Sequence, residues 1–227
     1  MIPTAPTDLL SLALAFALMS LVPLIVVTTT SFMKISLVLL VLRNALGVQQ
    51  VPPTLAIYGI ALSMTVFVMA PTLQAVGKEV STLTAGYGTN VTTSTGNSSS
   101  SLIERARAAA EPMRKFMDRF AGAAQKDAML ANAKRLWPAD MAKEAKPTDF
   151  LILLPAFVIS ELQAGYEIGF LIYIPFVVID LLISNLLMAL GMQQVSPQTI
   201  SIPLKLLLFV MVDGWGRLLN ALAMTYQ

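Results

Sequence analysis

The sequence predicts an all-α protein of membrane type, in which helical hairpins flank a polar helical insert. Two observations carry this prediction. Of the 227 residues, 56% are hydrophobic and only 12% are charged, which is too apolar for an ordinary soluble domain. The charges are also segregated: 19 of the 28 charged side chains lie between Lys78 and Asp149, so the other 155 residues carry nine.

This segregation divides the chain into three regions. Residues 1–77 form a first hydrophobic helical hairpin. Residues 78–149 form a polar, extracytoplasmic helical insert whose segment 82–101, rich in Thr, Ser, Gly and Asn, is predicted to be a flexible loop. Residues 150–227 form a second hydrophobic hairpin region with a turn at 191–197.

The first hairpin rests on two long uncharged runs. Leu9–Met33 has 25 residues and Thr54–Gly77 has 24, and each exceeds the roughly 20 residues that cross a bilayer core. Gly47, Pro52 and Pro53 lie between them and indicate a turn.

The tip of this hairpin and its flank carry the basic residues of the first region, which places the tip in the cytoplasm and the insert outside. The residues assigned to the tip are Lys34, Arg43, Gln49, Gln50, Pro52 and Pro53. No basic residue precedes Lys34, so the first apolar stretch is expected to be retained and not cleaved as a leader.

The insert is predicted to be mostly helical, because Met113, Phe116, Met117 and Phe120 recur at helical spacing. Their apolar face is expected to cover the membrane part. The insert carries 11 basic and 8 acidic residues, an excess too small to indicate nucleic-acid binding.

The second hydrophobic region has shorter apolar runs. Phe150–Ser160 has 11 residues and Ile168–Ile179 has 12, lengths typical of helices buried in protein. We therefore expect short helices packed against neighbouring copies or other subunits. Residues 45–53 and 189–197 agree at seven of nine positions, either as two similar turns or as a duplication, and both interpretations predict a second tip.

The few charges of this region are expected to be shielded by protein, since an isolated charge in lipid is costly. We expect these charges to form buried pairs between copies; the alternative is a proton or ion path. The residues concerned are Glu161, Glu167, Asp180, Lys205, Asp213 and Arg217. Gly165 and Gly169 permit either a close helix approach or a helix break.

Neither Cys nor His occurs in the chain. Thiolate and imidazole metal sites, iron–sulfur clusters and Ser-His-Asp catalysis are therefore excluded. No nucleophile motif is visible, so we expect neither an enzyme nor a cofactor.

Seven segments outside the insert closely resemble the type III secretion export-gate family, SctR of injectisomes and its flagellar counterpart FliP, with the injectisome branch the better match. These segments are 30–34, 42–53, 155–162, 167–176, 178–181, 203–210 and 213–215. The resemblance implies a non-enzymatic pore subunit of the bacterial inner membrane. It further implies a pentamer that joins S and T subunits in a helical cone projecting into the periplasm, then U and V subunits and the inner rod, with unfolded secreted proteins as passengers.

The family also has a methionine-rich run that seals the pore, and the matching positions here are Met192, Gln193, Gln194 and Val195. Only one methionine remains, so we expect a ring of Met192, with Gln side chains bonding between copies, to form the gasket; the alternative is an ordinary turn. A second function remains open: a secondary transporter or proton-conducting subunit that uses Glu161, Glu167 and Asp180.

Overall fold

The protein is helical throughout the part of the chain that the computed structural model describes, which comprises residues 6–48, 51–85, 98–192 and 194–227. No strand occurs in these ranges, in agreement with the predicted all-α class. The helices are α1 (Pro6–Thr29), α2 (Phe32–Ala45), α3 (Thr54–Ala85), α4 (Ser98–Phe120), α5 (Ala123–Leu136), α6 (Ala139–Glu144), α7 (Phe150–Ala189), α8 (Pro197–Met211) and α9 (Gly214–Met224).

A turn occurs at each of the two positions where the sequence indicates a tip. Gly47 follows α2 with φ 74°, and Gly191 follows α7 with φ 73°. Both values lie in the left-handed region, where a side chain is strained and glycine is not. The helices that follow begin at Thr54 and Pro197, so α2 and α3 form one hairpin and α7 and α8 form another.

The first uncharged run is not one straight helix. The end of α1 and helix α2 meet at 71°, because Thr29 and Thr30 donate their hydroxyl hydrogens to the carbonyl oxygens of Ile25 and Val26. A hydroxyl that bonds to the carbonyl four residues earlier competes with the backbone ladder and often bends a helix. Helices α8 and α9 likewise meet at 64°, at Asp213 with φ 51°.

The expectation of short helices after residue 150 is wrong for residues 150–189, which form the single helix α7, and agrees with the 15-residue α8 and the 11-residue α9. Helix α7 is continuous over 40 residues. The charged residues break the run of apolar side chains, but they do not break the helical backbone. Glu161 is paired inside the protein, and the helix accommodates both Pro155 and Pro175. Within the described ranges, two helices are long and apolar enough to cross a membrane, Thr54–Ser81 and Phe150–Ala189, or up to four spans if each bent pair counts as one.

The insert joins the hydrophobic part through a shared core. Helix α3 runs to Ala85, so the boundary expected at residue 78 falls inside a helix. The ends of the predicted loop, 82–85 and 98–101, are helical, and 86–97 lie outside the described residues. The apolar face of α4 packs as expected against the hydrophobic part, in a cluster that contains Met69, Phe116, Met117, Leu153, Phe157 and Tyr226.

Candidate functional site

A buried charge network joins three distant parts of the chain. Lys34 lies in the first turn of α2, Glu161 in the first third of α7, and Tyr226 just beyond α9. The Lys34 Nζ atom lies 2.9 Å from Glu161 Oε1 and 4.1 Å from the centre of the Tyr226 ring. The Tyr226 hydroxyl donates to Glu161 Oε2, so each carboxylate oxygen has a partner.

This network is sealed from solvent. The side chains of Lys34 and Glu161 are only 6% and 2% exposed, and the Phe116 ring stacks on the Tyr226 ring. Buried charges are tolerated when they are paired and hydrogen-bonded. The arrangement therefore fixes α2, α7 and the end of the chain relative to one another.

A second charge pair lies towards the other end of α2. The Lys205 Nζ atom of α8 lies 2.5 Å from Asp180 Oδ2 and donates to the Ala45 carbonyl oxygen at 3.1 Å. Lys205 is 4% exposed, whereas Asp180 is 44% exposed. Because Ala45 is the last residue of α2, Lys205 both neutralises Asp180 and satisfies a terminal helix carbonyl.

Two glycines allow α2 and α7 to cross closely. A Cβ atom on Gly165 would lie 2.8 Å from Leu37 Cδ2, and one on Gly169 would lie 3.1 Å from Val41 Cγ1. The glycine that comes later in α7 faces the residue that comes later in α2, so the two helices run in the same direction. The helix is unbroken at both glycines, which is the geometry of close packing and not of a break.

The remaining predicted charges lie at the surface. Glu167, Asp213 and Arg217 are exposed, and none belongs to an ion pair among the described residues. Pairing between copies thus stays a prediction for these three. Glu161 and Lys205, expected to pair with neighbouring copies, have partners in their own chain.

The first turn is docked on the rest of the protein. A Cβ atom on Gly47 would lie 3.1 Å from Ile202 of α8, and Arg43 Nη1 donates to Thr54 Oγ1 across the turn at 2.9 Å. Of the residues assigned to this tip, Pro52 is half-buried and Pro53 exposed. Gln49 and Gln50 lie outside the described residues, and Lys34 lies at the opposite end of α2.

The second turn is free of contacts with the described parts of the chain. A Cβ atom on Gly191 would meet none of their atoms within 4 Å, and the Met192 side chain is 43% exposed. Gln194 is exposed, Val195 is half-buried, and Gln193 lies outside the described residues. The neighbouring apolar side chains of this hairpin are also exposed: Leu182, Leu186, Met188, Leu190 and Ile200.

Sequence reasoning missed Tyr226 as part of the charge network. Nothing around it marks this role, because its partner Glu161 lies 65 residues away in the chain. Among the described residues, no group of three or more acidic side chains could hold a metal ion.

Comparisons with known proteins find relatives that match nearly the whole chain. The model of the FliP family matches residues 15–222. A protein named Harpin secretion protein HrpW from Pseudomonas syringae pv. syringae is 49% identical over 95% of this chain and 100% of its own length. Harpin secretion protein HrcR from Erwinia amylovora is 45% identical over 98% and 99% of the two chains.

A third relative is Yop proteins translocation protein R from Yersinia pestis, which is 43% identical over 96% of this chain and 97% of its own length. The names of these relatives refer to secretion and translocation, and not to a chemical reaction. The resemblance drawn from the seven segments is confirmed, and the chain belongs to the FliP family.

Proposed function

We propose that this protein is the channel-forming subunit of a type III secretion export apparatus, in which several copies surround a pore for unfolded substrate proteins. The single observation that carries this proposal is that the buried charges are paired within one copy, whereas a large apolar surface is not covered. The deeply buried charges are neutralised inside one copy, while a long hairpin of apolar side chains is left uncovered.

The uncovered surface is extensive. In the most apolar 18-residue stretch of α7, only 11% of the residues are buried within the chain. Its exposed residues include Phe170, Leu171, Tyr173, Ile174, Leu181, Leu182 and Leu186. Contiguous apolar surface on this scale marks a contact with lipid or with other protein, and sibling copies together with S and T subunits would cover it.

The assembly is proposed to follow the family pattern: a pentamer with S and T subunits, joined by U and V subunits and the inner rod. It would reside in the bacterial inner membrane and project into the periplasm. The basic residue Arg43 at the first turn supports a cytoplasmic location for that turn, with the insert on the opposite side.

The second turn is proposed as the gate. Met192 is exposed at the end of a free hairpin, where an unbranched thioether can fill irregular gaps and repack as a chain passes. Gln193, Gln194 and Val195 would complete the ring, with amide groups that hydrogen-bond between copies.

The geometry supports a structural role for the acidic residues over a proton path. Both carboxylate oxygens of Glu161 are engaged, and Asp180 is paired with Lys205. Glu167 lies at the surface of the same helix, and among the described side chains no hydrogen bond links these three acids to one another.

The gate is tested in the assembled complex. Deleting 192–195 should increase the leak of a small solute through the complex reconstituted in vesicles. Met211→Ala, which truncates another exposed methionine near the far end of α8, serves as the control and should leave the leak unchanged. An unchanged leak after the deletion would contradict the gate.

Copy number is tested separately by native mass measurement of the detergent-extracted complex, where five copies are expected. The purified chain alone in vesicles should show no proton flux. A stable monomer that conducts protons would replace this proposal with a transporter function.

A further inference from the structure

Three charged side chains of the second hydrophobic region have no counter-charge within the described part of their own copy. Glu161 and Asp180 of this region pair with lysines. Glu167, Asp213 and Arg217 are exposed and take part in none of the described ion pairs. Once neighbouring protein covers the apolar surface around them, a charge without a partner becomes costly.

Asp213 is compensated by the helix that follows it. It is the N-cap residue of α9, and a Cβ atom on Gly216 would lie 2.6 Å from Asp213 Oδ2. The carboxylate therefore lies beside the first turn of α9, where the positive end of the helix dipole favours an anion. Of the three exposed charges, Asp213 has the least need of a partner.

Glu167 and Arg217 have no such compensation. Arg217 is the fourth residue of α9, close to the positive end of the helix dipole, which disfavours a cation. Glu167 lies in the middle of α7, whose 40 residues include no Lys or Arg, so no cation of the same helix lies within reach of its carboxylate. One anion and one cation are thus left over.

These two residues lie at nearly the same height in the helix bundle. Glu167 is midway between the two α7 glycines that face α2, which places it level with Leu39 of that helix. Leu218, the neighbour of Arg217 in α9, packs in the same core cluster as Leu39. Identical copies placed side by side would therefore bring the two charges together with little shift along the helices.

The two charges also lie on different, largely apolar faces. On α7, Phe170 and Leu171, one turn after Glu167, are 65% and 64% exposed. On α9, Met224 lies two turns after Arg217 and is 52% exposed. In a ring or helix of identical copies, each contact joins two different faces of the chain. An anion on one face and a cation on the other make these faces complementary.

We infer that the exposed face of α7 in one copy docks on the exposed face of α9 in the next, and that Glu167 pairs with Arg217 across this contact. The inference rests on the multi-copy assembly proposed above. A guanidinium group can bond to both carboxylate oxygens. A slip by one helical turn would leave both charges unpaired in apolar surroundings, so the pair fixes the height at which neighbouring copies meet.

Exchange of the two charges tests the pair in the detergent-extracted complex. Glu167→Arg and Arg217→Glu should each lower the yield of the five-copy complex, measured by native mass, about tenfold or more, because like charges then meet. The two changes combined should return the yield to within about twofold of that of the unsubstituted chain. Glu144→Arg with Arg135→Glu reverses two exposed charges of the insert and, as the matched control, should leave the yield unchanged.

Cross-linking reports the contact directly, because the chain contains no Cys. Copies with Glu167→Cys that are produced together with copies carrying Arg217→Cys should form dimers with a short bismaleimide. Either variant produced alone should form none. Both side chains are exposed in a single copy, so circular dichroism of each variant should match that of the unsubstituted chain.

The outcomes separate this contact from the proposed function. If the unsubstituted chain forms the five-copy complex but the combined exchange fails to restore it and no dimer is cross-linked, the contact is wrong and the proposed function stands. A monomeric unsubstituted chain would overturn both. Unchanged yields in the two single variants would also overturn the pair, as would a loss of the complex with Asp213→Asn but not with Glu167→Arg, which would assign Arg217 to Asp213 of a neighbouring copy.

Discussion

The two hairpin turns have nearly the same sequence and the same glycine conformation, yet their surroundings differ. Leu46 in the first turn is 3% exposed, and Leu190, its equivalent in the second, is 64% exposed. Gly47 lies against Ile202, while a Cβ atom on Gly191 would meet no atom of the described residues within 4 Å. The comparison teaches that the local sequence sets the shape of each turn, whereas the helices around it decide whether the turn is buried or available to a partner.

The largest effect is expected from breaking the ion pair that holds α2, the helix before the first turn, against α7. Glu161→Gln leaves the buried Lys34 ammonium without its counter-charge, and breaking a buried pair in this way costs about 3–5 kcal/mol. Unfolding in detergent followed by circular dichroism should show this loss. Glu167→Gln, an exposed carboxylate on the same helix, should change the unfolding free energy by less than about 0.5 kcal/mol; similar losses would contradict the role of the buried pair.

Truncation of the equivalent leucines tests the comparison directly. Leu46→Ala should lower the unfolding free energy by about 2–4 kcal/mol because it opens a cavity in a packed region. Leu190→Ala should cost less than about 0.5 kcal/mol in the isolated chain. Equal costs would mean that the second turn is covered even in a single copy.

Removing the tether of the first turn should have an intermediate effect. Lys205→Met deletes the bonds to Asp180 and to the Ala45 carbonyl oxygen, and we expect a loss of about 1–3 kcal/mol. Amide hydrogen exchange should accelerate around Gly47 and remain unchanged at Gly191. Arg217→Met removes an exposed cation and is the control. Unchanged exchange at Gly47 in the Lys205 variant would show that packing alone holds the turn.

The smallest difference is expected from the glycines. Gly47→Ala and Gly191→Ala each place a side chain at positive φ, which costs about 1–2 kcal/mol. Gly47→Ala also brings a methyl group within 3.1 Å of Ile202 and should cost somewhat more. Thermal unfolding of the two variants under identical conditions measures the difference, and a larger loss for Gly191→Ala would reverse the assignment of docked and free turns.

Much of the architecture could be predicted from the sequence. The two turns follow from Gly47 and Gly191, and the α4 packing face follows from the spacing of Phe116 and Met117. The continuity of α7 could not be predicted, because an ionised residue lowers the local hydropathy equally whether its partner is lipid, water or a distant lysine. Only the fold shows that Lys34 neutralises Glu161.

For the same reason, the sequence indicated that the charges are shielded by protein but not which residues pair with them. Isolated charges in apolar runs indicate buried partners, but a single sequence does not say which partner is used when the candidates are far apart. Tyr226 illustrates this limit, since it contacts residues of α2 and α7 that no local pattern connects to it.

The position of Tyr226 also bears on biosynthesis. Its hydroxyl lies 3.5 Å from the Ser31 carbonyl oxygen, 195 residues earlier in the chain, and it completes the shell around Glu161. Until Tyr226 has been synthesised, Lys34 and Glu161 can meet only without this cover. The polar centre between α2 and α7 is therefore completed only after the segment that follows α9 has been synthesised.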